Sequence, residues 1–257
     1  MDTPATHPPP SGDPVRVIHY TDGTTLIAVD RPHRRNAICS RTALALQQAF
    51  TEFDRSDQRV AVVTGTGDTC FSSGADVADL PELWRCVPTL GITTEKPVIA
   101  AVAGHCVGGA LVMVMMCDLL VAAENAKFSY PEAALGFTGG LIASLAARIP
   151  HKVAMEMLLL CRTLDAQRAY QVGLANEVVP VGHQVDRALE LAREMTAYSP
   201  VVLKTLKRFV TEGVLIQGPS EKMARAARDL GVVRHSEDSR EALAAFKEKR
   251  KPRFTGR

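Results

Sequence analysis

Lys96-Pro-Val-Ile-Ala-Ala-Val-Ala-Gly-His-Cys-Val-Gly-Gly-Ala-Leu-Val-Met-Val-Met-Met-Cys-Asp118 decides how this chain folds. From Val98 to Cys117 it carries no Asp, Glu, Lys or Arg, a run long enough to be scored as a membrane span. Gly104, His105, Gly108 and Gly109 interrupt that run in its middle, and Asp118 closes it before a second short apolar stretch. A buried strand, a glycine elbow and a buried helix fit this punctuation better than a bilayer helix.

Working outward, two more short runs rich in Val, Ile and Ala, Thr25 to Val29 and Val60 to Thr64, resemble Val98 to Ala103 and end at turn signals, as strands buried on both faces do. Between the first two, Leu44, Leu46, Ala49, Phe50 and Phe53 recur at helical spacing within Arg41 to Phe53. Strand alternating with helix implies parallel pairing through crossovers. After Ala123 the pattern turns helical. Asp165 can cap a helix that Gly173 ends, Leu174 to Val179 reads as a strand, and Val185, Leu189, Ala192 and Met195 form the stripe of a helix that Ser199-Pro200 stops. Two further helical segments follow Ser220 and Ser236. The expected organisation is α/β: a disordered lead-in over 1–14, an α/β core over 15–195 and a helical region over 196–257.

Composition narrows the function classes. With 257 residues, 46% of them hydrophobic, the chain can bury a large core without metal or disulfide. Its 30 basic and 28 acidic side chains nearly balance, so no global field points to nucleic acid or an anionic membrane. The six cysteines (Cys39, Cys70, Cys86, Cys106, Cys117, Cys161) show no C-x-x-C spacing and read as reduced thiols of a cytoplasmic protein. The opening MDTPATHPPPSGDP is polar and Pro-rich, without the apolar core of a secretory signal.

Three stretches could carry chemistry. Phe71-Ser-Ser-Gly-Ala-Asp76 and Gly104-His-Cys-Val-Gly-Gly-Ala110 each follow a strand, and the second opens a helix whose first N–H groups are free. Together they could aim two amides at one carbonyl oxygen, as a thioester enolate requires; separately, each is also an ordinary tight turn. The second lacks the Lys-Ser/Thr of a phosphate-binding loop, and Gly65-x-Gly67 lacks the third glycine of a dinucleotide fingerprint. The third, Phe128-Ser-Tyr-Pro-Glu-Ala-Ala-Leu-Gly136, sets one carboxylate among apolar neighbours. Such a group suits proton abstraction and return near neutral pH, and a solvated helix-start glutamate is the competing reading.

These stretches, in this order, resemble the enoyl-CoA hydratase/isomerase (crotonase) superfamily. The resemblance runs from about Val15 to Arg253 and includes Asp30-Arg-Pro32 with Asn36-Ala37, Val62-Val-Thr-Gly65, Lys96-Pro-Val-Ile-Ala-Ala-Val102, Cys117-Asp118, Ala123-Glu-Asn-Ala-Lys-Phe128, Gly173-Leu-Ala-Asn-Glu-Val-Val179 and Glu248-Lys-Arg-Lys-Pro252. It implies a spiral of ββα units in two sheets, with a C-terminal helical region that packs homotrimers or, as dimers of trimers, homohexamers. It implies an oxyanion hole from the N–H groups of Ala75 and Gly109, and a catalytic glutamate at Glu132. Coenzyme A enters only as part of the substrate, with no metal and no permanently bound cofactor. Substrate contacts are implied for Asn36, Ala37, Ser73, Asp76, Val77 and Val112, and for Phe246 and Lys249 of a neighbouring subunit.

The sequence departs from the hydratase pattern where those enzymes carry a first glutamate: that position is Val112. Hydration divides its proton work between two carboxylates, and losing one acid or base costs about 10²–10⁴ in rate. Isomerisation needs only one base, so Glu132 with Val112 matches single-acid enoyl-CoA isomerases better. Phe137 to Ser144 and the short loop between Asp76 and Lys96, with Trp84 and Cys86, also depart, and both border the acyl pocket. His105 is a weak substitute acid, and Cys106 and Cys117 read as packing residues. The alternatives are a hydratase, decarboxylase or hydrolase with a replacement acid, and a catalytically idle CoA-binding subunit. A nucleic-acid role for the basic Lys247-Glu-Lys-Arg-Lys-Pro-Arg-Phe254 tail is weaker, since the rest of the chain is balanced.

Overall fold

Three apolar strands buried on both faces organise the molecule. The computed structural model describes residues 12–257. Its larger sheet runs β1 (Val15–His19), β2 (Thr24–Val29), β3 (Val60–Gly65), β5 (Val98–Val102), β7 (Leu119–Ala123) and β10 (Glu177–Val179). The β1–β2 pair is antiparallel and every later pair is parallel. Ala61, Val63, Ala100 and Val102 face the main core, which holds helix α1 (Ser40–Arg55). Val60, Val62, Ile99 and Ala101 face the other way, onto α6 (Gln184–Thr196). Because side chains alternate across a strand, both faces are apolar only if both are covered, as the continuous runs require.

The smaller sheet orders β4 (Cys70–Ser72), β6 (His105–Val107), β8 (Lys127–Ser129) and β9 (Leu164–Asp165), with the first three parallel. Each of β3, β5 and β7 turns into the next strand of this second sheet, so the chain winds as a spiral of strand pairs. Asparagines pin the turns. Asn125 accepts from the Gly104 N–H at 3.1 Å and donates to Asp68 O at 2.7 Å, and Asn36 Nδ2 donates to Thr66 O and Cys70 O at 3.0 and 2.8 Å. After β6 comes α2 (Gly109–Met115), and after β8 the short α3 (Glu132–Leu135). Helices α4 (His151–Leu160) and α5 (Ala166–Gln171) follow. The end of the chain is helical: α7 (Pro200–Phe209), α8 (Pro219–Arg234) and α9 (Glu237–Lys247).

The uncharged run from Val98 is thus a strand, a turn, a second strand and a helix, and among the described residues no helix is long and apolar enough to cross a membrane. Several expectations need correction. Of the expected lead-in, residues 1–11 lie outside the described residues, while Pro14 O accepts from Asp30 N at 2.9 Å and Asp13 pairs with Arg41 at 3.2 Å. Leu44 is 51% exposed; the buried face of α1 is Thr42, Ala43, Leu46, Ala49, Phe50 and Phe53. The strand expected from Leu174 begins at Glu177, because the Asn176 N–H and carbonyl-like Oδ1 are already bonded to the Leu120 backbone. Pro200 starts a helix as well as ending one, its missing N–H costing nothing in a first turn. Asp165 does cap α5, accepting from the Arg168 N–H at 2.7 Å.

Candidate active site

Parallel pairing of β4, β6 and β8 brings their carboxyl ends side by side, and the three stretches singled out above leave the sheet there. In open α/β sheets this edge is where ligands bind. The Gly108 N–H donates to Ser129 O at 2.9 Å, joining the second stretch to the third. Gly74 joins the first to the second: a Cβ there would lie 2.7 Å from Val107 O and 3.7 Å from Gly109 N. At φ +89°, only glycine fits without strain.

The two amides follow from this packing. Ile38 and Ala75 form a parallel bridge, in which Ile38 N–H donates to Gly74 O and Asp76 N–H donates to Ile38 O, both at 2.8 Å. In such a bridge the central residue's own N–H points to the opposite side, away from Ile38. Gly109 is the first residue of α2, where an N–H has no partner within the helix. Leu83, from a tight turn at Leu83–Cys86, covers Gly109 so closely that a Cβ would lie 2.1 Å from its Cδ2. Nothing in the apolar periodicity marks Leu83 in advance.

Glu132 is buried at 8% exposure, with one oxygen 3.6 Å from the position a Gly108 Cβ would take. Its other oxygen, Oε2, is buried without a hydrogen-bond partner among the described residues. Val112 lies one helical turn beyond Gly108, its N–H donating to Gly108 O at 3.3 Å, and is 1% exposed. Residues four apart share a helix face, so Val112 presents hydrocarbon on the face that begins with the Gly108 turn. A cavity of about 400 Å³ opens beside Glu132, lined by Tyr130, Phe137, Thr138, Ile142, Ala143 and Leu158 among others. Glu132 is its one carboxylate among the lining residues. A cavity of about 480 Å³ lies at the far end of α2, against α7 and α8, and holds none of these groups.

The remaining residues divide. Asn36 is 1% exposed and spends its amide on backbone: besides its two donations, its Oδ1 accepts from the Arg31 N–H at 3.0 Å. Ala37 is buried beside it, Ser73 N–H donates to Arg35 O, and Val77 is 88% exposed. Asp76 accepts from the Ala78 N–H and lies near Arg31 and Arg34. The Ala78 amide first, and then the arginines, hold its carboxyl below the usual range. Phe246, 84% exposed, and the exposed Lys249 belong to the α9 end, which packs chiefly on α8; the chain does not fold them back among the other site residues as its own lining. His105 is exposed on β6, while burial pushes the Cys106 thiol well up. Burial also pushes the Cys86 thiol up to about 12.

Comparison with known proteins bears on the fold and the family. The family model described as enoyl-CoA hydratase/isomerase matches residues 20–257. The chain belongs to the enoyl-CoA hydratase/isomerase family. Carnitinyl-CoA dehydratases of Salmonella paratyphi A and Salmonella enteritidis PT4 are 34% identical to it over 260 residues, covering 90% of this chain and 94% of theirs. The crystal structure of enoyl-CoA hydratase from Mycobacterium tuberculosis H37Rv matches with TM-score 0.73 and 31% identity, over 95% of this chain and 100% of that one. Carnitinyl-CoA hydratase from Mycobacterium avium matches with TM-score 0.74 and 31% identity, over 95% and 99%. As a member of the enoyl-CoA hydratase/isomerase family, the protein is an enzyme that acts on acyl-CoA thioesters, built on the crotonase fold.

Proposed function

We infer that this enzyme moves a double bond along an enoyl-CoA, using Glu132 as its single base. The supporting observation is the pairing of one buried carboxylate with Val112, where a second carboxylate would have to stand. Glu132 removes a proton from C2 of a 3-enoyl-CoA. The freed electron pair spreads onto the thioester oxygen, which accepts from the Ala75 and Gly109 amides, and the carboxyl returns the proton to C4 as the double bond settles between C2 and C3. Atoms and charge balance without a second acid. One such amide is worth about 10²–10³ in rate. No cofactor beyond the substrate's own coenzyme A takes part. The exposed apolar residues of the C-terminal helices, Leu243 and Phe246 among them, fit a trimer or hexamer in which α9 reaches a neighbour's substrate.

A second reading, addition or removal of water at C3, draws support from the carnitinyl-CoA dehydratases at 34% identity. Proton NMR in deuterated water separates the two. With a 3-enoyl-CoA, isomerisation gives the 2-enoyl product, carrying deuterium at C4 to the extent that the Glu132 carboxyl exchanges its hydrogen with solvent before returning it, and crotonyl-CoA gains little 3-hydroxy product. Glu132→Gln lowers exchange by about 10²–10⁴. Fast water addition to crotonyl-CoA that vanishes in Glu132→Gln would replace the isomerase reading with the hydratase one.

A further inference from the structure

Beside the carboxylate lies a pair of hydroxyls that the enolate scheme leaves unused. Tyr130 is 4% exposed, and its Oη lies 2.9 Å from Thr138 Oγ1. Thr138 Oγ1 also accepts from the Gly140 N–H at 3.0 Å. Tyr130, Thr138 and Gly140 line the same cavity as Glu132, and Tyr130 and Glu132 are the only titratable side chains among its lining residues. The glycine turn facing Glu132, and Leu83 covering that turn, bring no side-chain charge.

Proton bookkeeping gives the pair a direction. A threonine hydroxyl has one hydrogen and two acceptor sites, and here the Gly140 amide occupies one site. If Thr138 gives its hydrogen to Tyr130 Oη, the phenol hydrogen turns away from Thr138 and toward the carboxylate two residues along. The phenol then has its hydrogen to offer toward Glu132, which lines the same cavity and whose Oε2 has no hydrogen-bond partner among the described residues. Burial first, and then the neighbouring Glu132 carboxylate, push the Tyr130 phenol well above its usual range. A phenol held there keeps its hydrogen at neutral pH and serves as a donor, not a base.

We propose that Tyr130 is a positioning residue: oriented by Thr138, its hydroxyl donates to the charged form of Glu132 and holds that carboxylate between its two proton transfers. The proposal rests on Glu132 being the base, and it holds for any enolate chemistry at this site. The test is the pH dependence of deuterium exchange at C2 of butyryl-CoA. Tyr130→Phe keeps the ring and removes the donor. Losing a hydrogen bond to the ionised carboxylate moves the acid limb of the profile to higher pH by about one unit, a tenfold loss of rate below the limb. The dissociation constant for butyryl-CoA stays within about twofold, since Tyr130 acts on the base and not on the thioester. Thr138→Val moves the limb the same way by less, and carries the test if Tyr130→Phe does not fold. An acid limb that stays in place, or one that moves only together with lost butyryl-CoA binding, overturns the proposal. Glu132→Gln is the control: full exchange in that variant refutes Glu132 as the base, whereas its loss with an unmoved limb in Tyr130→Phe refutes the positioning alone.

Discussion

The two sides of the cleft are built to different tolerances. On the amide side, backbone packs on backbone: a Cβ at Gly104 would lie 1.9 Å from Thr69 O, and one at Gly74 would lie 2.7 Å from Val107 O. On the acyl side, Gly136 and Gly139 have nothing within 4 Å of such a Cβ, and Leu135 and Phe137 are 68% and 54% exposed. The amide side is fixed by sterics that side-chain changes cannot relax. The loop from Leu135 to Gly139 has room to change its residues. Under the proposed function, such a fold keeps one reactive centre and leaves its substrate range adjustable.

Substitutions should widen or close that contrast. Gly74→Ala forces the chain out of φ +89° and against Val107 O, which displaces the Ala75 amide; kcat is expected to fall by about 10²–10³ in the exchange assay. A wild-type kcat would mean that the Ala75 amide is not where the charge develops. Gly104→Ala combines φ +63° with a backbone clash and is expected to cost about 3 kcal/mol in urea unfolding. Gly139→Ala, in open space, is expected to change stability by no more than about 0.5 kcal/mol. Phe137→Ala should likewise unfold like wild type while kcat/KM across enoyl-CoA chain lengths shifts, and an unchanged chain-length profile would remove this loop from the acyl pocket.

The smallest effect expected is a pH dependence at Asp76, next to the amide of Ala75. Its carboxyl is held down in the folded state, first by the Ala78 amide and then by the nearby arginines. A group with a lowered folded pKa stabilises above its unfolded value, near about 4, and loses that contribution as pH falls through the folded value. Wild type should therefore unfold at higher temperature than Asp76→Asn at pH 7, with the gap closing toward pH 3. A gap that widened with acid would reverse the sign assigned here.

Much of this is legible in the amino-acid sequence. The uninterrupted apolar runs at Val60 and Val98 require a sheet covered on both faces, and the structure covers one with α1 and the main core and the other with α6. The three stretches that meet at the site were visible as glycine turns and a lone carboxylate. Other features were not. Leu44 looks like part of a helical stripe because periodicity marks a face only to within one residue, and α1 turns it outward. Asn36 stands in a loop near the site, yet its side chain is consumed by Thr66, Cys70 and Arg31. Tyr130 and Thr138 meet across a turn in which Gly136 takes φ +71°.

The amino-acid sequence by itself determined which segments must be buried, where glycine is needed and that one carboxylate, not two, is available near the turn at Gly108. Those are local properties, set by side-chain chemistry and backbone sterics. Only the tertiary structure decided that Ala75, Gly109 and Glu132 share one edge, because their approach depends on the parallel pairing of three short strands far apart in the chain. It also decided that Leu83, from another turn of the spiral, covers Gly109, and that Tyr130 and Glu132 line one cavity with Thr138.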